Sequence, residues 1–523
     1  MLMCASCKNQ KYMNNRTYTP IIYAIILIIG IWLGNFYIIK PPVDYQSIDQ
    51  NKINSILKLI EENYVDGFNI VDYEDQILES IMRELDPHSN YIPRKEQTLL
   101  EDDMKGSFSG IGIEFNIVND TLVVVSSISG GPSERLGILS GDRIVQVDGE
   151  NIASIGISNS DIIERLRGEK DSEVEVKIFR SGEKSLLTYN IIRGEIPLYS
   201  VDAYFMIEND IGYVKVNRFS ATTNEEFGNA ANKLLNNGMT KLILDLRGNP
   251  GGYLGSAIYM CNQFLESGNL ILYTEGKYRS RDEIFSNQEG RLKHIEVVVL
   301  INEGSASASE IVSGCMQDLD RAIIVGRRSF GKGLVQEEIR LDDGSAIRLT
   351  TQRYYIPSGR SIQKPYNKYD AEYELEMYNK RNQEEADIPD SLKYKTNNGR
   401  TVYGGGGIFP DSIISIDTTL DYTKFNQIRR KNWITEFVLS YQNKSHNIKD
   451  VSDIIEDEIY SKFKLFVLKK RNDFDFSMGE EEENYLKTYI KATIAKNIWD
   501  NNTYFQFLAT EDKFIQKAKE ILE

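Results

Sequence analysis

"IEVVVLINEGSASASEIVSGCMQDL", residues 295–319, is the stretch that decides the fold. Its first part, residues 297–301, is apolar without alternation, which is typical of a strand buried on both faces of a mostly parallel sheet covered by helices. A loop of small residues follows, and the later apolar spacing predicts a helix. A second unit of this kind, "KLILDLRGNPGGYLGSAIYMCNQFL", occupies residues 241–265. The pattern therefore predicts a multidomain α/β protein whose core begins near residue 196.

Composition excludes several classes of protein. The chain has 523 residues, 41% of them hydrophobic, which is enough for several packed domains. The net charge of −16 argues against a nucleic-acid partner, because no basic excess exists to replace phosphate counterions. Four cysteines are too few and too scattered for a disulfide framework. Cys4 and Cys7 have no second ligand pair nearby, so no metal site is predicted.

The N-terminal region contains a predicted membrane anchor. Residues 20–39, "PIIYAIILIIGIWLGNFYII", carry no charge and are long enough to span a bilayer as one helix. Basic residues precede this segment and the first acidic residue is Asp44, so residues 1–19 are expected in the cytoplasm. The part of the chain after residue 40 is then expected on the periplasmic side of the inner membrane. A cleaved signal peptide is the alternative, and translation starts at Met1 or at Met13.

The rest of the chain divides by texture. Residues 44–105 are predicted to be helical, residues 106–194 to be rich in strands, and residues 195–418 to form the α/β core. The polar segment 366–401 is predicted to be an insertion, and residues 419–523 a helical C-terminal region. The two helical regions are candidates for binding an adaptor protein or for forming a homodimer.

Ser307 admits two interpretations from its own surroundings. With Glu310 it fits a helix capping box, which is a structural role. A serine between a buried strand and a helix also lies where backbone N–H groups converge, and these can stabilise an oxyanion. A nucleophile needs a base, and the chain has three histidines, at positions 88, 294 and 446. None of them stands in a setting that marks it as one.

Lysine is the alternative base, and "VGRRSFGKGLVQEE" (325–338) places Lys332 between two glycines. Such a lysine must be neutral, which burial favours by lowering its pKa. Gln336 is spaced to accept a hydrogen bond from it. The spacing of this stretch also matches the phosphate-binding loop of nucleoside triphosphatases, but Gly333 stands where a hydroxyl must bind magnesium, so a nucleoside triphosphatase is not predicted. Taken alone, Lys332 also fits a solvated lysine in a turn.

"DLRGNPGG" (245–252) supplies a tight turn between a strand and a helix. The N–H group of Gly251 or Gly252 is a candidate second oxyanion donor beside that of Ala308. Asp245 is predicted to orient the turn rather than to act as an acid or base.

These segments together resemble the carboxy-terminal-processing, or tail-specific, proteases of serine peptidase family S41. "GSASASEI", "FGKGLVQ", "LDLRGNPGG" and "YYIPSGRSIQ" carry the resemblance. It implies a ClpP/crotonase-like protease core in which Ser307 is the nucleophile, Lys332 the general base and Gln336 its support. The implied oxyanion donors are Ala308 and Gly251 or Gly252. The mechanism expected from these groups uses no metal or cofactor.

Residues 106–194 resemble a PDZ domain inserted before the core. "GIGIEF" (110–115) and "GPSERLGILSGDRIVQVDGENI" (131–152) carry this likeness. Successive amides in a glycine-rich loop can bind a terminal carboxylate, while the adjoining strand edge pairs with an extended peptide. The residues of this loop are Gly110, Ile111, Gly112 and Ile113. Arg167, at the end of the next helix, is a candidate for coupling peptide binding to the active site, although a simple surface role fits it equally.

The expected function is that of a membrane-anchored serine endopeptidase. Its PDZ domain is expected to recognise protein C-termini, so that envelope proteins are processed or degraded from that end. The alternative is a membrane-tethered PDZ scaffold that binds C-termini without cutting, but a scaffold has little reason to keep Ser307, Lys332 and Gln336. A hydrolase of small amides is a third hypothesis, which the PDZ domain disfavours.

Overall fold

A computed structural model describes residues 23–29, 52–128, 130–180, 182–366, 373, 388–416, 421–442 and 456–523. The chain divides into two compact units, residues 1–77 and 78–523. Of the predicted membrane span, only residues 23–29 are described; they are helical and exposed. The remainder of the span and the N-terminal tail lie outside the described residues. Among the helices that are described, none combines the length and the apolar character needed to cross a bilayer.

The described elements are numbered here in chain order. The helices are α1 Lys52–Asn63, α2 Glu74–Arg83, α3 Arg94–Lys105, α4 Pro132–Arg135, α5 Asn159–Leu166, α6 Thr223–Asn236, α7 Leu254–Phe264, α8 Ala308–Asp318, α9 Thr423–Arg430, α10 Trp433–Gln442, α11 Glu456–Lys470, α12 Glu480–Ile498, α13 Asn501–Thr510 and α14 Lys513–Leu522. The strands are β1 Asn90–Ile92, β2 Ser107–Gly110, β3 Ile113–Ile117, β4 Leu122–Ser127, β5 Arg143–Val147, β6 Glu150–Asn151, β7 Glu173–Phe179, β8 Leu187–Ile192, β9 Gly194–Pro197, β10 Val201–Met206, β11 Ile211–Val216, β12 Lys241–Asp245, β13 Leu270–Gly276, β14 Arg279–Phe285, β15 Glu296–Ile301, β16 Ile323–Gly326, β17 Leu334–Arg340, β18 Ala346–Tyr355, β19 Lys393–Lys395, β20 Thr401–Tyr403 and β21 Ser412–Ile413.

A central sheet carries the two strand–loop–helix units. Its strand order is β10-β11-β12-β15-β16-β21, and every pair is parallel except the antiparallel edge pair β10–β11. Along β15, Val297 and Val299 pack into one apolar cluster with α7 and α8, while Val298 and Leu300 pack into another with α14. The continuous apolar run thus faces helices on both sides, as the sequence predicts.

A second, antiparallel sheet lies beside the loop of Lys332. Strands β1, β18, β13 and β14 follow one another in it, and β17 pairs with β18. Here the prediction that residues 44–105 are helical is wrong in part, because β1 pairs with β18 and places Ile92 opposite Ala346. Tyr91 and Ile92 are buried by this pairing. A three-residue strand is too short to produce a detectable alternation in the sequence.

The strand-rich region forms its own antiparallel sheet, β3-β4-β5-β7-β8, with β6 on β5. Its apolar cluster includes Leu122, Ile144 and Val176, all fully buried. Strands β2 and β9 pair with each other where the chain enters and leaves this region. The region is therefore a separately packed layer. Along the chain, it is inserted between helix α3 and strand β10 of the central sheet.

The helices after residue 420 have two different partners. Helices α9 to α12 surround their own apolar cluster, in which Ile428, Phe463 and Leu486 are fully buried. Helix α14 instead packs against β12, β15 and β16 of the central sheet. The C-terminal end of the chain therefore contributes one of the two helical layers of the core.

Candidate active site

Ser307 is held in an unusual backbone conformation at the start of α8. Its φ is +54° and its ψ is −112°, which a residue with a Cβ rarely adopts. The Ser307 N–H donates to Glu310 Oε2 at 2.8 Å, and its carbonyl accepts from the Glu310 N–H at 2.8 Å. The surrounding hydrogen bonds thus fix a strained serine between a buried strand and a helix.

Glu310 joins the serine loop to the lysine loop. Besides the Ser307 N–H, its carboxylate accepts from the N–H groups of Gly331 at 2.7 Å and Lys332 at 2.9 Å. The Ser329 hydroxyl donates to it at 2.6 Å. Burial raises the pKa of Glu310, and these hydrogen bonds oppose the rise. The sequence indicated only the helix cap, so this bridging role of Glu310 was missed.

Lys332 has the surroundings that a basic amine requires. Its Nζ donates to Gln336 Oε1 at 2.7 Å. Burial, aided by the nearby Arg348 cation, lowers the pKa of Lys332 from 10.5 to about 8. The Tyr354 hydroxyl lies 2.6 Å from the Lys332 carbonyl and 3.2 Å from the Ser307 carbonyl. Within the described residues no hydrogen bond joins Ser307 Oγ to Lys332 Nζ, so the structure places the amine in its Gln336-bound orientation.

A turn before β1 completes the lysine's surroundings, and no sequence pattern indicated that it lies there. Gln336 Nε2 donates to the His88 carbonyl at 2.5 Å. The turn itself is fixed by Asp86 Oδ1, which accepts from the N–H groups of His88 and Ser89, both at 2.8 Å. Burial and the Lys332 cation lower the pKa of His88 to about 4, so its ring is neutral at pH 7. The only sequence signal was a histidine in an Asp-Pro-His turn.

Of the other two histidines, the structure describes His294. His294 is exposed at the entrance to β15. His446 lies outside the described residues.

The glycine turn after β12 lies directly against Ser307. A Cβ on Gly251, whose φ is +102°, would come within 2.8 Å of Ser307 Cβ, so only glycine fits. A Cβ on Gly252 would meet the Phe219 carbonyl oxygen at 2.0 Å. The Gly251 N–H donates to Asn249 Oδ1 at 2.9 Å, so that amide already has a partner. The Ala308 amide is the first of helix α8.

Asp245 anchors this turn as a buried anion. It accepts from the Tyr213 hydroxyl at 2.8 Å and from Arg247 Nη2 at 2.6 Å. Burial alone would raise the pKa of Asp245, but the cations of Arg247 and Lys215 hold it well below its usual range. A carboxylate fixed as an anion in this way positions the turn rather than exchanging protons.

The loop predicted to bind a carboxylate leads into β3 on the strand-rich layer. The Ile111 carbonyl accepts from the Ser133 N–H at 3.1 Å and from its hydroxyl at 2.6 Å. Gly112 has a φ of +76°, and a Cβ there would meet Ile196 at 2.8 Å. Gly110 is bridged to Arg167, and Ile113 begins β3. The four residues therefore form the segment that leads from β2 into β3, next to helix α4.

Arg167 connects the strand-rich layer with helix α3. Its guanidinium lies 4.0 Å from the ring centre of Phe108 and 3.4 Å from Asp102 Oδ2. Its N–H closes the last turn of α5 on Ile163 O at 2.9 Å. The Arg167 side chain therefore contacts strand β2 and helix α3, outside its own helix.

The models of two protein families match parts of this chain, and several known proteins are similar to it. The profile described as "Peptidase family S41" matches residues 210–373, and that of the PDZ domain matches residues 123–180. A "Carboxy-terminal-processing protease" of Bartonella bacilliformis is 34% identical over 350 residues, which cover 65% of this chain and 80% of that protein. A "Probable CtpA-like serine protease" of Staphylococcus aureus is 28% identical over 431 residues, which cover 81% of this chain and 82% of that protein. Among solved structures, a "photosystem II D1 C-terminal processing protease" matches with 24% identity and a TM-score of 0.39, covering 71% of this chain and 88% of that chain.

Proposed function

The chain belongs to peptidase family S41, the carboxy-terminal-processing serine proteases, and we propose that Ser307 and Lys332 are its catalytic dyad. The observation that carries this proposal is a buried amine whose pKa is lowered to about 8 on a loop that Glu310 joins to the serine loop. A lysine with an ordinary pKa is almost entirely cationic at pH 7, whereas about one in ten is neutral at a pKa of 8.

The proposed reaction uses only groups of this chain. Neutral Lys332 donates one N–H to Gln336 Oε1, which leaves its lone pair to take the proton of Ser307. The serine oxygen attacks the scissile carbonyl, and the amides of Ala308 and Gly252 stabilise the oxyanion, joined by Gly251 if its amide exchanges its Asn249 partner. The lysine then protonates the leaving amine, and water hydrolyses the acyl-enzyme by the same route.

The test uses the purified full chain, in detergent, and an unfolded protein with an apolar C-terminus. The wild-type chain is expected to cleave it, while Ser307→Ala and Lys332→Ala are expected to lose cleavage and to keep the wild-type circular dichroism. Full activity in either variant contradicts the dyad. If the wild-type chain binds the substrate and never cuts it, the PDZ scaffold is the function that remains.

We also propose that the PDZ domain selects substrates by their C-termini. The amides of Gly110, Ile111, Gly112 and Ile113 would bind the terminal carboxylate, and the adjoining strand edge would pair with the last residues of the substrate. The discriminating experiment compares one substrate with a free and with an amidated C-terminus. Amidation is expected to raise KM. Equal KM values for the two forms contradict recognition of the carboxylate.

Membrane anchoring through residues 20–39, with the protease on the periplasmic side, is likewise a proposal. The uncharged span and the basic residues before it support this topology. Added protease is expected to digest the body from the periplasmic side only.

The proposed domain division is 44–105, 106–194, 195–418 and 419–523, with an adaptor or a second copy of the chain binding to the helical regions.

A further inference from the structure

We infer that the start of the C-terminal helix is part of the active-site support: Asp512 holds Arg247, and through it the glycine turn, in the position that Ser307 requires. This assigns Asp512 as a positioning residue. The inference rests on the proposed function of Ser307, and it gives a role to a part of the chain for which the sequence indicated only helices.

The contact between Asp512 and Arg247 is direct. Asp512 Oδ1 lies 3.0 Å from Arg247 Nη1, and Asp512 Oδ2 lies 2.8 Å from Arg247 Nη2. The side chain of Asp512 is 21% exposed and that of Arg247 is 17% exposed, so water screens this pair less than a surface pair. Asp512 is also the N-cap of α14, where it accepts from the Phe514 N–H at 2.9 Å.

Arg247 lies between two carboxylates of different origin. Asp245, at the end of β12, binds it from within the turn, and Asp512 binds it from the C-terminal helix. The same guanidinium lies over the Phe514 ring, with Arg247 Cζ 4.7 Å from the ring centre. Without Asp512, the charge of Arg247 would be opposed from one side only, and its side chain would be free to move toward solvent.

The turn transmits the position of Arg247 to Ser307 over a short path. The neighbouring Leu246 carbonyl accepts from the Ser305 hydroxyl at 2.8 Å. The Asn249 carbonyl accepts from the Ala306 N–H at 3.0 Å. Gly251 then packs directly on Ser307. A displaced turn would therefore disturb both the serine backbone and the amides that face the substrate carbonyl.

The same end of the helix contacts the strand that precedes the lysine loop. A Cβ on Gly326, the last residue of β16, would lie 3.1 Å from the Phe514 ring, and Arg327 lies 5.1 Å from the ring centre. The start of α14 thus contacts two segments: the glycine turn, and the residues after β16 that lead into the loop of Lys332. The apolar face of the helix, including Ile515 and Leu522, is already held by the sheet. The ion pair is therefore available for positioning rather than needed for docking.

The experiment is the substitution Asp512→Asn in the full chain. Asparagine is as good an N-cap as aspartate, so the variant keeps the helix start and loses only the negative charge that Asp512 places against Arg247. The matched control is Asp500→Asn, at the N-cap of α13, where the side chain accepts from the Thr503 N–H at 2.8 Å. In the described structure Asp500 makes no ion pair with Arg247.

Two readouts separate the possible outcomes. For Asp512→Asn we expect kcat to fall about tenfold with KM unchanged, because the turn is displaced while the PDZ domain still binds substrate. The rate at which a fluorophosphonate labels Ser307 should fall in parallel. Asp500→Asn should match the wild type in both, and Asp512→Glu should recover most of the loss.

The inference is overturned if Asp512→Asn keeps its wild-type kcat and labelling rate. It is equally overturned if Asp500→Asn loses as much, or if Asp512→Glu is as inactive as Asp512→Asn. If Asp512→Asn does not fold, the labelling rate of Asp512→Glu decides, with a wild-type rate supporting the inference and a lost rate overturning it. Failure of the proposed function looks different, because wild-type Ser307 would then take no label at all.

Discussion

The lowered pKa of Lys332 predicts how cleavage depends on pH. Because burial lowers its pKa to about 8, the neutral, basic form is scarce at pH 6 and dominant above pH 9. The value of kcat/KM for a peptide without titrating groups should therefore rise with pH, with a midpoint near 8 and a plateau above it. The profile is measured in buffers of constant ionic strength from pH 6 to 10. A profile that is flat or that falls across this range contradicts a lysine base.

The same buried amine costs the fold stability at neutral pH. Its pKa is depressed on folding from 10.5 to about 8, so the stabilising contribution is present above pH 10.5 and is lost as pH falls through 8. Lys332→Met, which keeps the apolar stem, should raise the free energy of unfolding at pH 7 by about 1 to 3 kcal/mol, the lower figure allowing for the lost bond to Gln336.

Denaturant titrations at several pH values test this stability prediction. The gain from Lys332→Met should shrink as pH rises from 8 toward 10.5, because the lysine of the unfolded chain then loses its proton as well and folding no longer has to remove it. Gln336→Leu is the companion variant, since it removes the bond and keeps the lysine. A Lys332→Met chain that is less stable than the wild type at pH 7 would contradict the buried, charged amine.

At the scale of single residues, the sequence predicts identities better than partners. Ser307 and Lys332 could be selected because each stands in a recognisable local setting. The roles of Glu310 and His88 depend on hydrogen bonds to residues far along the chain, such as the bond from Gln336 to the His88 carbonyl. No local pattern encodes such a contact, so the sequence indicated only a capping box at Glu310 and an Asp-Pro-His turn at His88.

Among the elements, helix α5 is the one that leads from the PDZ domain toward the protease. Arg167, the C-cap that follows its last residue, contacts Phe108 and Asp102 outside the helix. We predict that Arg167→Ala lowers kcat several-fold while the affinity for a C-terminal peptide stays within twofold, because the lost side chain contacts Phe108 and Asp102, whereas Gly110 of the predicted peptide loop pairs with the Arg167 backbone, which the variant keeps. Peptide affinity is measured by fluorescence anisotropy and kcat by cleavage of a protein substrate.

The matched control for Arg167 is two residues earlier on the same helix. Arg165 pairs with Glu150 on the surface, so Arg165→Ala removes a helix arginine without touching Phe108 or Asp102. It should leave kcat and affinity unchanged. If Arg167→Ala also leaves kcat unchanged, Arg167 is an ordinary surface residue and the coupling hypothesis is wrong.

The elements that the sequence predicts well are long or strongly patterned. Strand β15 has five consecutive apolar residues, and helix α8 after it has apolar residues at helical spacing. Strand β1 has neither feature, yet its pairing with β18 positions the His88 turn beside Gln336. A three-residue strand is fixed by the sheet it joins and not by its own sequence, which is why it was missed.

For the whole molecule, the sequence predicts the layers and leaves their partners open. The helical spacing of residues 513–522 indicates an amphipathic helix, but any apolar face in the chain would serve as its partner. The structure selects the face of the central sheet formed by Ile243, Val298 and Leu300. The C-terminus is thereby part of the protease core, so a domain boundary drawn near residue 418 from texture alone separates segments that share one apolar cluster.

The shared cluster predicts a separation of stability from activity within one helix. Ile515 is 3% exposed and packs against the central sheet, so Ile515→Ala should cost about 2 to 4 kcal/mol of unfolding free energy. At temperatures well below unfolding, its kcat should remain near wild type, because Asp512 still holds Arg247. Thermal unfolding and cleavage rates are measured on the same samples, with the exposed Glu520→Ala as control. If Ile515→Ala instead loses kcat as Asp512→Asn is expected to, the whole helix and not its charged N-cap positions the turn.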